Sequence, residues 1–315
     1  MRYENLLIRS FRILRGNLWL WFLALLAGEG SSGGGGGGAN AQFQPGTTRP
    51  AGSVGDFGWV QQWLADRAGL FAEIAAILLV VGLAWFLISC VASGALLGGA
   101  ARIDAGEKLT LGRAWRFGVG AFGRVLRLKL LFVAGLLGPA LLLALPPLAG
   151  LLDGSRGLLV GLVIDLPLLI AYFYWAAFLH WFAELALRAC VLDRLGAWAA
   201  VRAAWALLKR RFPRIALTTL VFIGVGLGMG LLTSIVFALV EAPFVGPVLA
   251  AIYRGLLQGQ WSDVPGTIGL WLAILIPLSL AVSSAVGAYF AIAWTLAYRR
   301  FDVEGEIEEP PSLAA

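Results

Sequence analysis

The sequence predicts an all-α fold, a polytopic transmembrane helical bundle of six spans arranged as three hairpins. Hydrophobic residues make up 60% of the 315 positions and charged residues 13%, about half of the roughly 25% typical of a soluble domain. Long apolar stretches recur, and basic residues gather in alternate connections between them. We therefore expect a single transmembrane domain over residues 1–302, followed by an acidic cytoplasmic tail over 303–315.

Five apolar stretches are longer than the about 20 residues that a helix needs to cross about 30 Å of hydrocarbon. The spans predicted from them are 70–101, 128–152, 158–187, 215–240 and 268–298. A sixth, over about 11–28, is weaker, because the helix must begin near Phe11 and its arginines must reach the interface. A cleaved signal peptide is the alternative, but eleven residues, mostly glycine, separate the apolar core from the nearest cleavage-like sequence.

The connection after the first span, residues 28–58, is rich in Gly, Ser, Ala and Pro and includes six consecutive glycines. This composition is typical of a flexible segment that buries no core. We expect an external loop.

The distribution of Lys and Arg predicts the orientation. Of the 24 basic residues, 20 fall on one side of the predicted topology and four on the other, and the richer side is cytoplasmic by the positive-inside rule. Both termini lie on that side. Arg outnumbers Lys by 21 to 3, a bias typical of GC-rich bacterial genomes, so we predict a bacterial inner-membrane protein.

A basic amphipathic segment precedes each outward span, and the three segments suggest an internal repeat. Each contains a small residue followed by an aromatic and basic residues, at 10–15, 114–117 and 204–209. Such helices lie at the headgroup level. Two of them supply the residues expected to contact anionic headgroups, namely Arg113, Arg116, Arg124, Arg127, Arg202, Lys209, Arg210 and Arg211. The alternative is that any hairpins that obey the positive-inside rule resemble one another.

Ionisable residues inside spans are the usual pointer to function. His180, Glu184 and Arg188 are spaced four apart and share one face of the fourth span. Asp165 lies towards the outer end of the same span, two residues before Pro167, which could break the helix. A proton relay or substrate ion pair is one interpretation of this polar cluster, and an ordinary interfacial salt bridge is the favoured one.

Small residues spaced four apart predict close helix packing at Gly94 and Gly98, and at Gly224 and Gly228. They would also suit a homo-oligomer. The two cysteines, Cys90 and Cys190, fall in apolar runs and are predicted to be reduced packing residues. The GxGxxG match at 118–123 follows no strand, so we do not interpret it as a nucleotide site.

No catalytic motif, cofactor site or metal-ligand spacing is present, and the chain has one histidine. We therefore expect a non-enzymatic protein without a cofactor. Its expected partners are membrane lipids with anionic headgroups and not nucleic acid, because the basic residues follow the membrane topology. A homo-oligomer or a membrane-protein partner stays open.

The order of these elements resembles a group of bacterial integral membrane proteins, similar to the membrane region attached to some glycerophosphodiester phosphodiesterases. The residues that carry the resemblance are 10–12 with 18–21, 114–118, and 187–189 with 204–205. The phosphodiesterase domain has no counterpart, so no catalytic residue carries over. We expect a non-catalytic envelope component that organises lipid or partner proteins, with a small-molecule or lipid transporter as the alternative.

Overall fold

A computed structural model describes residues 3–28, 67–152, 155–258 and 263–308. These residues form helices and no strand, which confirms the all-α prediction for the described part of the chain. The helices are α1 (Tyr3–Gly16), α2 (Trp19–Ala27), α3 (Ala68–Asp104), α4 (Leu111–Leu152), α5 (Ser155–Leu192), α6 (Ala197–Gln258) and α7 (Asp263–Glu308).

Five helices, α3 to α7, are long and apolar enough to cross a membrane, so the chain has the architecture of an integral membrane protein. Each contains one of the five stronger predicted spans and extends past it. Even the shortest, with 37 residues, is about 55 Å long at about 1.5 Å per residue, well above the about 30 Å of hydrocarbon. The helices therefore continue beyond the apolar layer.

The first hydrophobic segment differs from the continuous span predicted over 11–28. The helix stops at Gly16 and restarts as α2, which has 9 residues and is about 14 Å long. At the break the side-chain amide of Asn17 donates to the carbonyl of Ile13 at 3.1 Å. Such a local side-chain bond competes with continuation of the helix. Gly28 ends α2 in the left-handed conformation (φ 77°), a backbone that glycine adopts without strain.

The basic segment before the second outward span is not a separate helix, whereas a kink separates the one before the third from its span. α4 runs from Leu111 through its basic segment into the span without interruption. In α6 the backbone departs from helical geometry at Arg211 (φ −125°, ψ 23°), where two helices meet at a kink. Pro213 follows two residues later, and its ring and missing N–H disfavour regular helix there.

The predictions for Pro167 and for the start of the C-terminal tail are corrected, and most of the predicted loop and tail lies outside the described residues. Pro167 does not break its helix, since α5 continues through it. The backbone of α7 is helical to Glu308, so the first part of the predicted tail is an extension of the last helix. The remainder of the tail, 309–315, and all of the predicted external loop except Gly28 lie outside the described residues.

The packed core lies at one end of the bundle, which we call the basic end. There α1, the C-terminal ends of α3, α5 and α7, and the N-terminal ends of α4 and α6 meet. Asp104 joins three of these elements, because Arg9 Nε lies 2.6 Å from its Oδ1 and Arg299 Nη1 lies 3.2 Å from its Oδ2. The first and last helices therefore reach the same end of the protein.

The other half of the five long helices, which we call the open half, packs little. It comprises residues 72–88, 136–146, 166–178, 223–250 and 266–283, none of which is buried. Large apolar side chains stand free, with Leu79 69% and Leu239 71% exposed. An apolar surface of this extent is far larger than a soluble monomer exposes and fits contact with lipid chains.

Candidate functional site

A cavity of about 680 Å³ opens at the basic end, between α3, α4, α7 and the C-terminal end of α5. Five arginines line it, from α3, α4, α7 and the connection after α5, namely Arg102, Arg116, Arg124, Arg194 and Arg299. Asp193 is the one carboxylate among the lining residues, and its Oδ2 accepts a hydrogen bond of 2.6 Å from the hydroxyl of Tyr298. We call this cavity the arginine pocket.

Helical periodicity places these groups. Arg116, Gly120 and Arg124 are four apart, so they follow one face of α4 towards the cavity. Gly98 and Ala101 lie on the facing side of α3. A methyl group added at Gly120 would meet nothing within 4 Å, and one at Gly98 would meet only Val191 Cγ1 at 3.9 Å. The cavity is therefore open at Gly98 and Gly120 because these residues have no side chain.

The arginines differ in how they are neutralised. Arg102 stacks on Phe117, with 3.7 Å from Cζ to the ring centroid, and lies 3.6 Å from Glu107. Arg299 donates to the carbonyl of Ala101 at 3.0 Å in addition to its pair with Asp104. The three other guanidiniums, on Arg116, Arg124 and Arg194, make no hydrogen bond or ion pair with any residue that the structure describes. The pocket thus has an excess of positive charge.

The predicted polar cluster is brought together in part. Arg188 is fully buried, and its Nη1 lies 2.5 Å from Glu184 Oε2. Its Nη2 reaches the carbonyl of Ala291 in α7 at 3.5 Å, and its Cζ lies 5.8 Å from the ring centroid of Trp294. Arg188 therefore links α5 to α7 and is more than an interfacial salt bridge within one helix.

His180 and Glu184 line a second cavity, of about 260 Å³, near the end of α2. Lys129 of α4 also lines it, and its Nζ donates to Ser93 Oγ at 2.9 Å and to the carbonyl of Ser89 at 3.3 Å. Asp165 is buried elsewhere, with no hydrogen-bond partner for its Oδ1 among the described residues. It precedes His180 by 15 residues on α5, about 22 Å along the axis, so it does not join this cavity.

The residues predicted to contact headgroups divide into two groups. Arg116 and Arg124 line the arginine pocket. The other six, which do not line it, are Arg113, Arg127, Arg202, Lys209, Arg210 and Arg211. Lys209 lies over Trp205, with 5.3 Å from its Nζ to the ring centroid. Headgroup contact itself stays a prediction for all eight.

The predicted packing glycines also divide. A methyl group at Gly94 would lie 3.2 Å from Gly118 Cα and 3.3 Å from Ala121 Cβ, so α3 and α4 cross closely there. Gly224 and Gly228 have nothing within 4 Å of such a group, so any packing partner for them must come from outside the described chain.

Sequence reasoning missed Gly118, whose added methyl group would overlap the carbonyl oxygen of Val91. It also missed Arg102, Arg194 and Arg299 as pocket residues, and Lys129 as a partner of α3. The available signal was weak: each predicted inward span ends in or near an arginine, and such ends meet in a hairpin bundle.

The chain was compared with protein-family models, with curated proteins and with solved structures, and none of them matches it. The resemblance to membrane regions of glycerophosphodiester phosphodiesterases stays a prediction. Among the residues described, no group of three or more His, Cys, Asp or Glu side chains is placed to hold a metal ion. The chemistry that the arginine pocket offers is the binding of anions through guanidinium groups.

Proposed function

We propose that this protein is a non-catalytic, multi-pass component of the bacterial inner membrane that organises anionic lipid. The main observation in support of this function is that the molecule divides into two halves. A packed basic end carries the arginine pocket, and an open half presents exposed apolar side chains. A phospholipid offers the complement of both, an anionic headgroup and hydrocarbon chains.

The proposed topology has six spans in three hairpins, with the basic end in the cytoplasm. Contacts at Asp104 support it, since α1, α3 and α7 meet there. Trp19 at the start of α2 lies near Gly99, towards the end of α3, and this proximity supports an antiparallel first hairpin like the other two.

The proposed internal repeat is supported by burial at equivalent positions. The small residue of each basic segment, Ser10, Ala114 or Ala204, is fully buried. The aromatic that follows Ser10 or Ala204 is exposed and the one that follows Ala114 is partly buried. A general positive-inside pattern requires basic residues but not a buried small residue at the equivalent position of each segment.

The lipid proposal is tested by extracting the full chain from bacterial membranes into polymer-bounded native nanodiscs and measuring lipid classes by mass spectrometry. We expect phosphatidylglycerol and cardiolipin to be enriched about twofold or more over the bulk membrane. An unrelated multi-pass protein extracted in parallel is the control. Lipid proportions equal to the bulk membrane would overturn the proposal.

The orientation has its own test. Green fluorescent protein fused after Glu308 is expected to be fluorescent, because it folds in the cytoplasm, and alkaline phosphatase fused after Leu152 is expected to be active outside. The opposite pattern would contradict the assigned orientation.

A transporter is the second candidate, favoured by the cavity that His180, Glu184 and Lys129 line. Ionisable groups around a cavity between spanning helices are typical of substrate or proton sites. The test is a double variant, His180→Ala with Glu184→Gln, in cells that require the protein for growth. Loss of growth with normal protein abundance supports transport, and unchanged growth counts against it.

A further inference from the structure

We propose that the arginine pocket is a discrete binding site for one phosphate-bearing anion. This inference rests on the proposed function and gives its site a ligand class. The shared chemistry is a phosphate group, carried either by a lipid headgroup or by a soluble phosphate compound.

Convergence separates this site from an ordinary basic membrane face. Its arginines come from α3, α4, α7 and the connection after α5, and they surround one volume instead of spreading along a helix. Arg102 and Arg299 are anchored by neighbouring groups. Arg116, Arg124 and Arg194 have no partner among the described residues, so they are the donors left for a ligand. Guanidinium groups bind phosphate oxygens in paired, directional contacts.

Space and shape also fit. The volume of about 680 Å³ falls within the about 300–1,000 Å³ of ligand sites, and it accommodates a phosphate with an attached headgroup. A recess between helices admits such a group but not a nucleic-acid duplex. Gly120 leaves the α4 side of the pocket without a side chain. A Cβ added at this position would have no other atom within 4 Å.

The backbone at the pocket edge is unusual in one respect. Arg194 has φ 55°, the left-handed region that a non-glycine residue seldom occupies. This conformation turns the chain directly after Asp193 and holds the arginine at the cavity. Such outliers persist where the surrounding structure maintains them and are common at functional sites.

The experiment measures binding by the full chain in detergent micelles of neutral headgroup. Three probes are titrated: inorganic phosphate, short-chain phosphatidylglycerol and short-chain phosphatidylcholine. The pocket variant is Arg116→Gln with Arg124→Gln. The matched control is Arg12→Gln with Arg15→Gln, which removes the same charge from exposed positions of α1 outside the pocket. A third variant, Gly120→Leu, fills the pocket without a change of charge.

We expect the pocket pair to weaken binding of an anionic probe by about tenfold or more, because each charge-assisted bond contributes strongly. The control pair changes it by less than about threefold, as expected of screened surface charge. Gly120→Leu weakens binding as the pocket pair does, with an unchanged elution volume and helical circular dichroism. Phosphatidylcholine, which also carries a phosphate but no net charge, binds more weakly than phosphatidylglycerol.

The outcomes separate the sources and the two proposals. Binding of phosphatidylglycerol without inorganic phosphate assigns a lipid headgroup, and competition between the two assigns the phosphate group itself. Equal losses in the pocket and control pairs, or full binding by Gly120→Leu, overturn the pocket while leaving lipid enrichment in nanodiscs intact. Pocket-dependent phosphate binding without lipid enrichment would keep the site and reject the lipid-organising function.

Discussion

Replacement of Gly118 by alanine is expected to destabilise the protein, although alanine is the better helix former. The added methyl group would overlap the carbonyl oxygen of Val91 and lie 3.0 Å from both the amide nitrogen and Cβ of Ala95. Because two of these three atoms belong to backbone, no side-chain rotation can relieve the overlap. The helices α3 and α4 must separate, by roughly 1 Å, and a gap of that size forfeits a quarter to a half of each dispersion contact across it.

The magnitude follows from two opposing terms. Overpacking of a close interface costs about 1–3 kcal/mol, and the glycine-to-alanine change in helix propensity returns about 1 kcal/mol. The net expectation is a free energy of unfolding lowered by up to about 2 kcal/mol. Gly123→Ala is the matched control, since a methyl group there meets nothing within 4 Å on the same helix. It should leave stability unchanged or raise it by up to about 1 kcal/mol.

The assay is a reversible titration with sodium dodecyl sulfate in mixed micelles, followed by the fluorescence of the 13 tryptophans. The wild type and both alanine variants are measured under the same conditions. Equal stability of the two variants, or higher stability of Gly118→Ala, would refute the reasoning, because it would mean that α3 and α4 do not cross at this position.

Three further predictions concern single contacts. Arg188→Met lowers the free energy of unfolding by about 3 kcal/mol, because it leaves the largely buried carboxylate of Glu184 unpaired. Adding Glu184→Gln is expected to restore at least half of that loss in the same titration. A double variant no more stable than Arg188→Met alone would contradict this. Trp181→Phe removes the 2.9 Å bond from its Nε1 to Thr219 Oγ1 and costs about 1 kcal/mol, whereas an unchanged denaturation midpoint would show that this bond contributes nothing. Asp104→Asn weakens two partly exposed salt bridges, each worth up to about 1 kcal/mol. Backbone amides of α1 should then exchange hydrogen up to about fivefold faster, as measured by mass spectrometry. Unaltered exchange would argue against the contact between Arg9 and Asp104.

Local sequence patterns predict much of this fold because the membrane acts on each segment separately. Hydropathy identifies the five long helices without knowledge of their neighbours, and a spacing of four identifies the pair of Glu184 and Arg188. The break after Gly16 was missed because apolar residues continue on both sides of it. Hydropathy detects the solvent that a segment prefers, not the continuity of its backbone.

The arginine pocket was beyond the reach of such patterns. Its lining arginines extend from Arg102 to Arg299, and their meeting depends on which helices adjoin and at what depth they cross. The crossing at Gly118 has the same origin. The sequence shows a glycine-rich basic stretch there, whereas the reason for that glycine is a carbonyl oxygen on another helix. Arg188 likewise has a contact in α7 that no spacing within α5 indicates.

Asp104 has a consequence for the order of assembly. It is synthesised early, and Arg299, one of its two partners, follows 195 residues later. At about 5–20 residues per second, roughly 10–40 s pass between the two. During that interval only Arg9 is available to Asp104, and the face of α3 that receives α7 is open within the bilayer. The bundle therefore closes at its basic end only after the last helix has been inserted, and a nascent chain that stalls before α7 would present that uncovered face to the insertion and quality-control machinery of the membrane.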